Sequence, residues 1–505
     1  MGENPRVPGH HDLASHPLIP RAVFVLAVAL YAAVLLTHTC EVAGGSDSSG
    51  YANEAREIAR VQREERVTEL DRFGLDDSFT DSFSPLGYTP SRPGYVTTTY
   101  PPGLPMHMAL LGKLFEWKHA PFYVSPIAAI AGIILLGLFA HRLFDSWWIA
   151  TGAALAIGCC ATYAFIGLQT MSDVLTATWT LAAMLAAWLS RGGEAPQPSG
   201  RAGAPVLHWS AIAGAALAIS VWVRPSNAIV GLPFLFALPW TKKAFTWCIA
   251  AGAIVTAPLF VWNAKHYGSA FRTGYGAATG YFGFDYFPSH SLHYLKWTAA
   301  LLTPLVFAGA IYSIILARRE RIHLVLALWF WSTFVLYCFY YAYDAWWYTR
   351  FLLPAYPAVI LSTIYAARAV DRRAIALALA AIAITGIYWC AHFDMLDEAI
   401  GENVYPEALR WADGDVPRDA LVAAMQFSGA RKYYKDRFSL RYDIIDRDHL
   451  RVLEQKVAPD RWYLLIGKFE LDDALANLGG RWTPLGQFRD ILLLHRDPNG
   501  SLSSH

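Results

Sequence analysis

The sequence predicts an all-α polytopic membrane domain of about eleven transmembrane helices, followed by a small extracytoplasmic α/β domain. Three observations carry this. Of the 505 residues, 55% are hydrophobic and only 16% charged, whereas soluble domains carry about 25% charged residues. Eleven stretches contain no Asp, Glu, Lys or Arg: 22–40, 119–140, 146–172, 174–190, 202–223, 225–241, 244–264, 297–317, 322–343, 351–367 and 374–393. Each reaches the roughly 17–25 residues of helix that cross a bilayer. The loops between them alternate in basic content, as short cytoplasmic loops rich in Lys and Arg require.

In order, residues 1–20 form a polar cytoplasmic tail. The run after Arg21 is long for a signal-peptide core and lacks a small-x-small cleavage site, so it reads as a retained anchor. The transmembrane domain occupies 21–393. It includes an outer loop, 41–102, and an apolar segment, 102–117, that opens Pro102-Gly103 and carries Lys113. Counting 102–117 as a span would invert every later loop, so it is placed as a helix lying in the outer interface. The inner loops then hold Arg142, Arg191, Arg201, Lys242, Lys243, Arg318, Arg319, Arg321, Arg368, Arg372 and Arg373. The short outer ones hold Arg224, Lys265, Arg272, Lys296 and Arg350, a bias of two to one. Segment 191–205 reads as a flexible linker.

The tail, 394–505, falls outside the membrane. Residues 421–425, 442–445, 462–466 and 490–494 read as strands, and segments near 403–412, 429–436, 448–456 and 471–478 as helices between them. The six cysteines sit within or at the rim of apolar runs and read as free thiols, with a Cys40–Cys390 bridge as the alternative. A net charge of +1 suggests no nucleic-acid partner.

The spans hold almost no ionisable residues, which argues against a proton- or ion-coupled path. Polar residues gather instead at the outer rim. After the first span comes Gly44-Gly45-Ser46-Asp47, leading into a helix with Tyr51, Ala55 and Ile58 on one face. Asp47 reads either as a helix cap or as a general base at the bilayer surface. Asp173 also opens a helix from the outer side, again with capping as the plain alternative. Arg224, pinned by Pro225, and Arg350, beside Trp346, Trp347 and Tyr348, lie on the same rim. There they either snorkel or bind a phosphate through two parallel hydrogen bonds.

On these residues the chain resembles the membrane-embedded glycosyltransferases with polyprenyl-phosphate sugar donors, a superfamily of GT-C fold. It includes the protein O-mannosyltransferases and the lipid A aminoarabinose transferases. The likeness covers roughly residues 20–370 and rests on motif order: Asp47, Tyr51 and Ala55; Tyr100-Pro101-Pro102-Gly103; Asp173; Arg224-Pro225; and Arg350 with Pro354 and Pro357. Two features depart from it. Ser48 stands where the mannosyltransferases have a second carboxylate, and the outer loop carries a charged insertion, 60–82, read as a lid, an acceptor platform or a solvated loop.

The resemblance implies an inverting glycosyltransferase on the outer face, with Asp47 as base. Asp173 would position the acceptor or share a divalent cation with Asp47. Arg224 and Arg350 would hold the donor phosphate, and Tyr51, Tyr100 and His107 would line the site. The implied partners are a polyprenyl-phosphate sugar, an acceptor that is glycan, lipid or protein, and the bilayer, with a bacterial inner membrane as the expected location. The rival readings are a lipid-linked sugar flippase or other transporter, and a non-catalytic scaffold.

Overall fold

A computed structural model describes residues 18–192, 206–276 and 281–497. The first seventeen residues of the expected tail, most of the 191–205 linker and an N-glycosylation pattern in the sequence, Asn499-Gly500-Ser501, therefore lie outside the described residues. The chain opens with α1 (Leu18–Thr37) and the outer helix α2 (Asp47–Arg60). The outer loop then forms β1 (Glu65–Arg66), α3 (Thr68–Phe73), β2 (Tyr88–Arg92) and β3 (Tyr95–Thr98) before α4 (Gly103–Leu114). The bundle continues through α5 (Val124–Phe144), α6 (Trp147–Gly158), α7 (Ala161–Leu168), α8 (Ser172–Leu189), α9 (Leu207–Val223), α10 (Gly231–Ala237) and α11 (Lys242–Tyr267). It closes with α12 (Phe287–Leu302), α13 (Leu305–Leu316), α14 (Arg321–Cys338), α15 (Tyr356–Val370) and α16 (Arg372–His392).

Every one of the eleven charge-free runs forms helix. Among the described residues, seven helices are long and apolar enough to cross a membrane: α1, Ala120–Phe144, α8, α11, α14, Trp346–Val370 and α16. Two broken helices raise this to nine. The pair α6–α7 bends by 66°, and Phe284–Leu302 turns 111° into α13. The runs at 202–223 and 225–241 form shorter helices, α9 and Pro225–Ala237. The structure thus gives seven to nine spans by length and composition rather than a plain eleven. The difference comes from breaks inside apolar runs at Cys159–Cys160 and Thr303–Pro304, which hydropathy does not register, and from the shortness of α9 and Pro225–Ala237. Segment 102–117 forms α4, whose 12 residues are too few to span.

The C-terminal part contains α17 (Glu398–Glu402), α18 (Val404–Ala412), β4 (Leu421–Ala423), α19 (Gln426–Lys435), α20 (Arg447–Lys456), β5 (Trp462–Gly467), α21 (Leu471–Leu478), β6 (Trp482–Phe488) and β7 (Ile491–Arg496). The sheet order is β4-β5-β7-β6, with β4 and β5 parallel and the other pairs antiparallel. Residues alternate between faces along β5. Trp462, Leu464 and Ile466 enter one core, and Tyr463 and Leu465 enter the other with α18.

One strand expectation needs correcting. Residues 442–445 form a turn, because Arg441 folds over Asp443 (Nε–Oδ1 2.7 Å) and Tyr442 donates to Glu470 (2.9 Å). Residues 482–488, given no element from the sequence, form β6, which contains Pro484 and Gly486. It is an edge strand with an irregular register between those residues, the setting in which Pro is tolerated.

The outer loop is not a solvated excursion. Val67, Leu70, Phe79 and Phe83 are buried in the same core as Leu421, Phe438 and Trp462. The C-terminal part is also bonded to the loop at the outer end of α1 and to α2. Ala43 N donates to the Tyr434 hydroxyl (2.9 Å), and Asn53 Nδ2 to Gly429 O (3.1 Å). All six cysteines are free.

Candidate active site

Asp47 is the first residue of α2 and does not act as a side-chain cap. Gly45, with a positive φ (52°), makes the tight turn two residues before it. Asp47 Oδ1 accepts from the Tyr100 hydroxyl (2.9 Å), and its Oδ2 faces Arg350 Nη2 (3.1 Å). Tyr100 packs against Tyr51 with ring centroids 4.5 Å apart and ring planes tilted by 38°. Burial is the largest cause that raises both phenols, with the Asp47 charge second, so each stays a hydrogen-bond donor near neutral pH.

Asp173, in the first turn of α8, is ion-paired with Arg224. Its side chain is only 2% exposed. The Tyr51 hydroxyl donates to Ser172 Oγ (3.0 Å), tying α2 to α8. Arg224 leaves α9 in extended backbone, where Pro225 forbids continuation of the helix. Both guanidinium groups stand near the Phe351 ring, Arg224 at 4.7 Å and Arg350 at 5.3 Å from its centroid. Arg350 also reaches Met171 Sδ (3.4 Å). Its Nε is buried and has no acceptor among the described residues.

Four of the residues singled out from sequence, Asp47, Asp173, Arg224 and Arg350, are thus brought together from α2, α8, the α9–α10 break and the start of Trp346–Val370. Beside them lies a cavity of about 140 Å³ whose walls include Tyr51, Ser172, Arg224, Tyr275, Tyr337 and Phe351. Tyr275, Tyr337 and Tyr340, another wall residue, escaped the sequence reading. The one available signal was the density of tyrosines at 337–348. His107 does not join the group. Its Nδ1 donates to Gly103 O (2.7 Å) and its Nε2 accepts from Trp179 (3.3 Å), inside the helix packing.

The donor set does not fit a metal. Asp47 and Asp173 each face a guanidinium rather than each other, and among the described residues no three His, Cys, Asp or Glu side chains gather as ligands. The cluster is instead two acid–base pairs, roughly neutral as a whole. Such pairs remain ionised only where each charge is matched.

No family model and no curated protein sequence matches the chain. Solved structures do. ArnT from Cupriavidus metallidurans bound to undecaprenyl phosphate is 13% identical, covers 93% of this chain and 97% of its own, and superposes with a TM-score of 0.61. The chain has the GT-C fold. The apo state of the same ArnT gives a TM-score of 0.57 at 13% identity, covering 95% of this chain and 99% of that one. The archaeal oligosaccharyltransferase AglB from Archaeoglobus fulgidus, in complex with an inhibitory peptide and a dolichol-phosphate, is 12% identical over 96% of this chain and 75% of its own, with a TM-score of 0.57. At these identities the GT-C architecture is what is shared, as the motif order anticipated.

Proposed function

We propose that this chain is an integral membrane glycosyltransferase that moves a sugar from a polyprenyl-phosphate donor to an acceptor hydroxyl on the outer face of the membrane. The observation that carries the reading is the pair of Asp–Arg contacts beside one aromatic cavity, with Arg350 Nε left free for an anion. The GT-C neighbours, one carrying undecaprenyl phosphate and one a dolichol-phosphate, support the donor class.

In this reading all eleven charge-free runs traverse the membrane, with the N-terminus in the cytoplasm and the unit 394–505 outside. A bacterial inner membrane is the proposed setting. The isoprenoid tail lies in lipid, and the donor phosphate meets Arg350 and Arg224. Asp47 takes the proton from the acceptor hydroxyl. The oxygen attacks the anomeric carbon from the face opposite the phosphate, and the bond from that carbon to the phosphate oxygen breaks. The electron pair leaves with the polyprenyl phosphate, whose charge the two guanidinium groups neutralise; such stabilisation is often the largest catalytic contribution. Tyr100 orients Asp47, Asp173 orients Arg224, and Tyr51 lines the cavity. His107 acts at one remove, by seating α4 against α8. No step is routed through a metal.

The test uses purified protein and a radiolabelled polyprenyl-phosphate sugar, with membrane vesicles supplying acceptors. Wild type binds the donor and transfers sugar. Asp47→Asn keeps donor binding and loses roughly 10²–10⁴-fold in transfer, the range for a general base. Normal transfer by both Asp47→Asn and Asp173→Asn would show the site assignment to be wrong. Failure of wild type to bind any polyprenyl-phosphate sugar would sink the enzyme class itself.

A further inference from the structure

At the opposite end of the bundle from the Asp47 cluster, a groove of about 740 Å³ opens between α6 and α16. The two helices run side by side in the same direction. Gly152 abuts Leu379, and further along Gly386 abuts the Cys159 carbonyl. Past that point Thr162 bonds Thr349 (2.7 Å), the neighbour of Arg350. The mouth of the groove, at Ser146 and Arg372, is therefore the far end of these helices from the proposed site.

Its mouth is polar and its walls are apolar. Arg368 and Arg372 stand at the mouth with Asp145 and Ser146, and Leu155, Leu379 and Ala383 line the depth. Both arginines are exposed, and neither has an ion-pair partner among the described residues. With Asp145 the mouth sums to +1 by simple count, and Arg21 adds a further cation over the adjacent Trp147 ring (5.6 Å). The groove runs nine residues down α6, from Ser146 to Leu155, and eleven down α16, from Arg372 to Ala383. At about 1.5 Å per residue that is about 14–16 Å. Half of a hydrocarbon core about 30 Å thick is about 15 Å.

We infer that this groove holds one anionic glycerophospholipid of the leaflet opposite the Asp47 cluster. The acyl chains lie along the apolar walls for the depth of that leaflet, and the phosphodiester sits between Arg368 and Arg372. The match in depth points to a lipid, and the unpaired cations select an anionic headgroup over a zwitterionic one. The assignment is independent of the enzymatic reading.

The test is native mass spectrometry of the full chain released from nanodiscs of equimolar phosphatidylglycerol and phosphatidylcholine. Wild type should retain one phosphatidylglycerol. R368Q/R372Q should weaken that binding roughly 30-fold, from about 1 kcal/mol for each basic residue near the membrane surface. Ala380→Phe, on the exposed groove wall, fills the space without changing charge and should also expel the lipid. Unchanged thermal unfolding of both variants would confirm that the fold survives. Equal retention of the two phospholipids, or retention of phosphatidylglycerol by R368Q/R372Q, overturns the proposal. Displacement of phosphatidylglycerol by equimolar undecaprenyl phosphate would assign the groove to a polyprenyl lipid and overturn it as well.

Discussion

Asp173 and Arg224 differ in chemistry but share one constraint, since each is tolerable at this depth only because the other is there. Removing one partner of a buried pair costs about 3–5 kcal/mol, so Asp173→Asn tests folding as well as catalysis, and donor binding must be read beside transfer. Glu402 poses the opposite problem. Burial, reinforced by Glu398, pushes its carboxyl up to about 7. Its Oε2 lies where a Cβ on Gly44 would be, so it helps seat α17 against the chain just before Asp47. An acid whose folded pKa is raised favours the fold while protonated. The contact is therefore fully stable below about pH 4.5 and weakens as pH rises through that value toward 7. Hydrogen exchange over 398–405, corrected for intrinsic rates, should accelerate between pH 5 and pH 8 in wild type and stay flat in Glu402→Gln. A flat wild-type profile would contradict this. Asp47, Asp173, Arg224 and Arg350 were legible as candidates because charged residues are rare at the ends of apolar runs. Tyr275, Tyr337 and Tyr340 were not, since an interfacial aromatic belt produces the same pattern.

Among the elements, α4 shows how little room the site has. A Cβ on Gly103 would sit 2.4 Å from the backbone N of Val223, the residue before Arg224. Backbone cannot swing aside as a side chain can. Gly103→Ala should therefore cost about 1–3 kcal/mol, the usual penalty for overpacking, and should weaken donor binding by displacing Arg224. A thermal-shift measurement beside donor binding checks both, and an unchanged melting temperature would mean that the α4–α9 contact is looser than described. Element existence was largely readable from charge-free runs and period. Element continuity was not. The bends after α6 and α12 occur within apolar sequence, where hydropathy stays high while direction changes. In the C-terminal part, Arg441–Asp443 pairing overrode an apolar strand pattern, and an edge position rescued Pro484 in β6.

For the whole molecule, the parity of the spans decides whether Asp47, Asp173, Arg224 and Arg350 can share a side, and the structure gathers all four. The basic loops alone support placing that side outside the cytoplasm. A cysteine introduced at Gly414 should react with a membrane-impermeant maleimide in intact spheroplasts, whereas one at Arg319 should react only after lysis. The reverse labelling would invert the topology and place the reaction in the cytoplasm. The outer loop adds a second whole-molecule fact. Its Phe79 and Phe83 share a core with Trp462, so this loop and the C-terminal part fold around one core.

The sequence by itself determined that the chain is a multi-helix membrane protein, which residues stand at its rim, and, through motif order, that its fold is GT-C. These are properties of local composition, since each apolar run must leave water and satisfy its own backbone hydrogen bonds as helix, whether lipid or other helices surround it. Tertiary structure alone decided that Asp47 faces Arg350 and Asp173 faces Arg224, that His107 is spent on Gly103 and Trp179, and that the outer loop completes the C-terminal core. Except for the His107–Gly103 bond within α4, those pairings join residues dozens to hundreds of positions apart, and only the packing of side chains from separate helices selects among them.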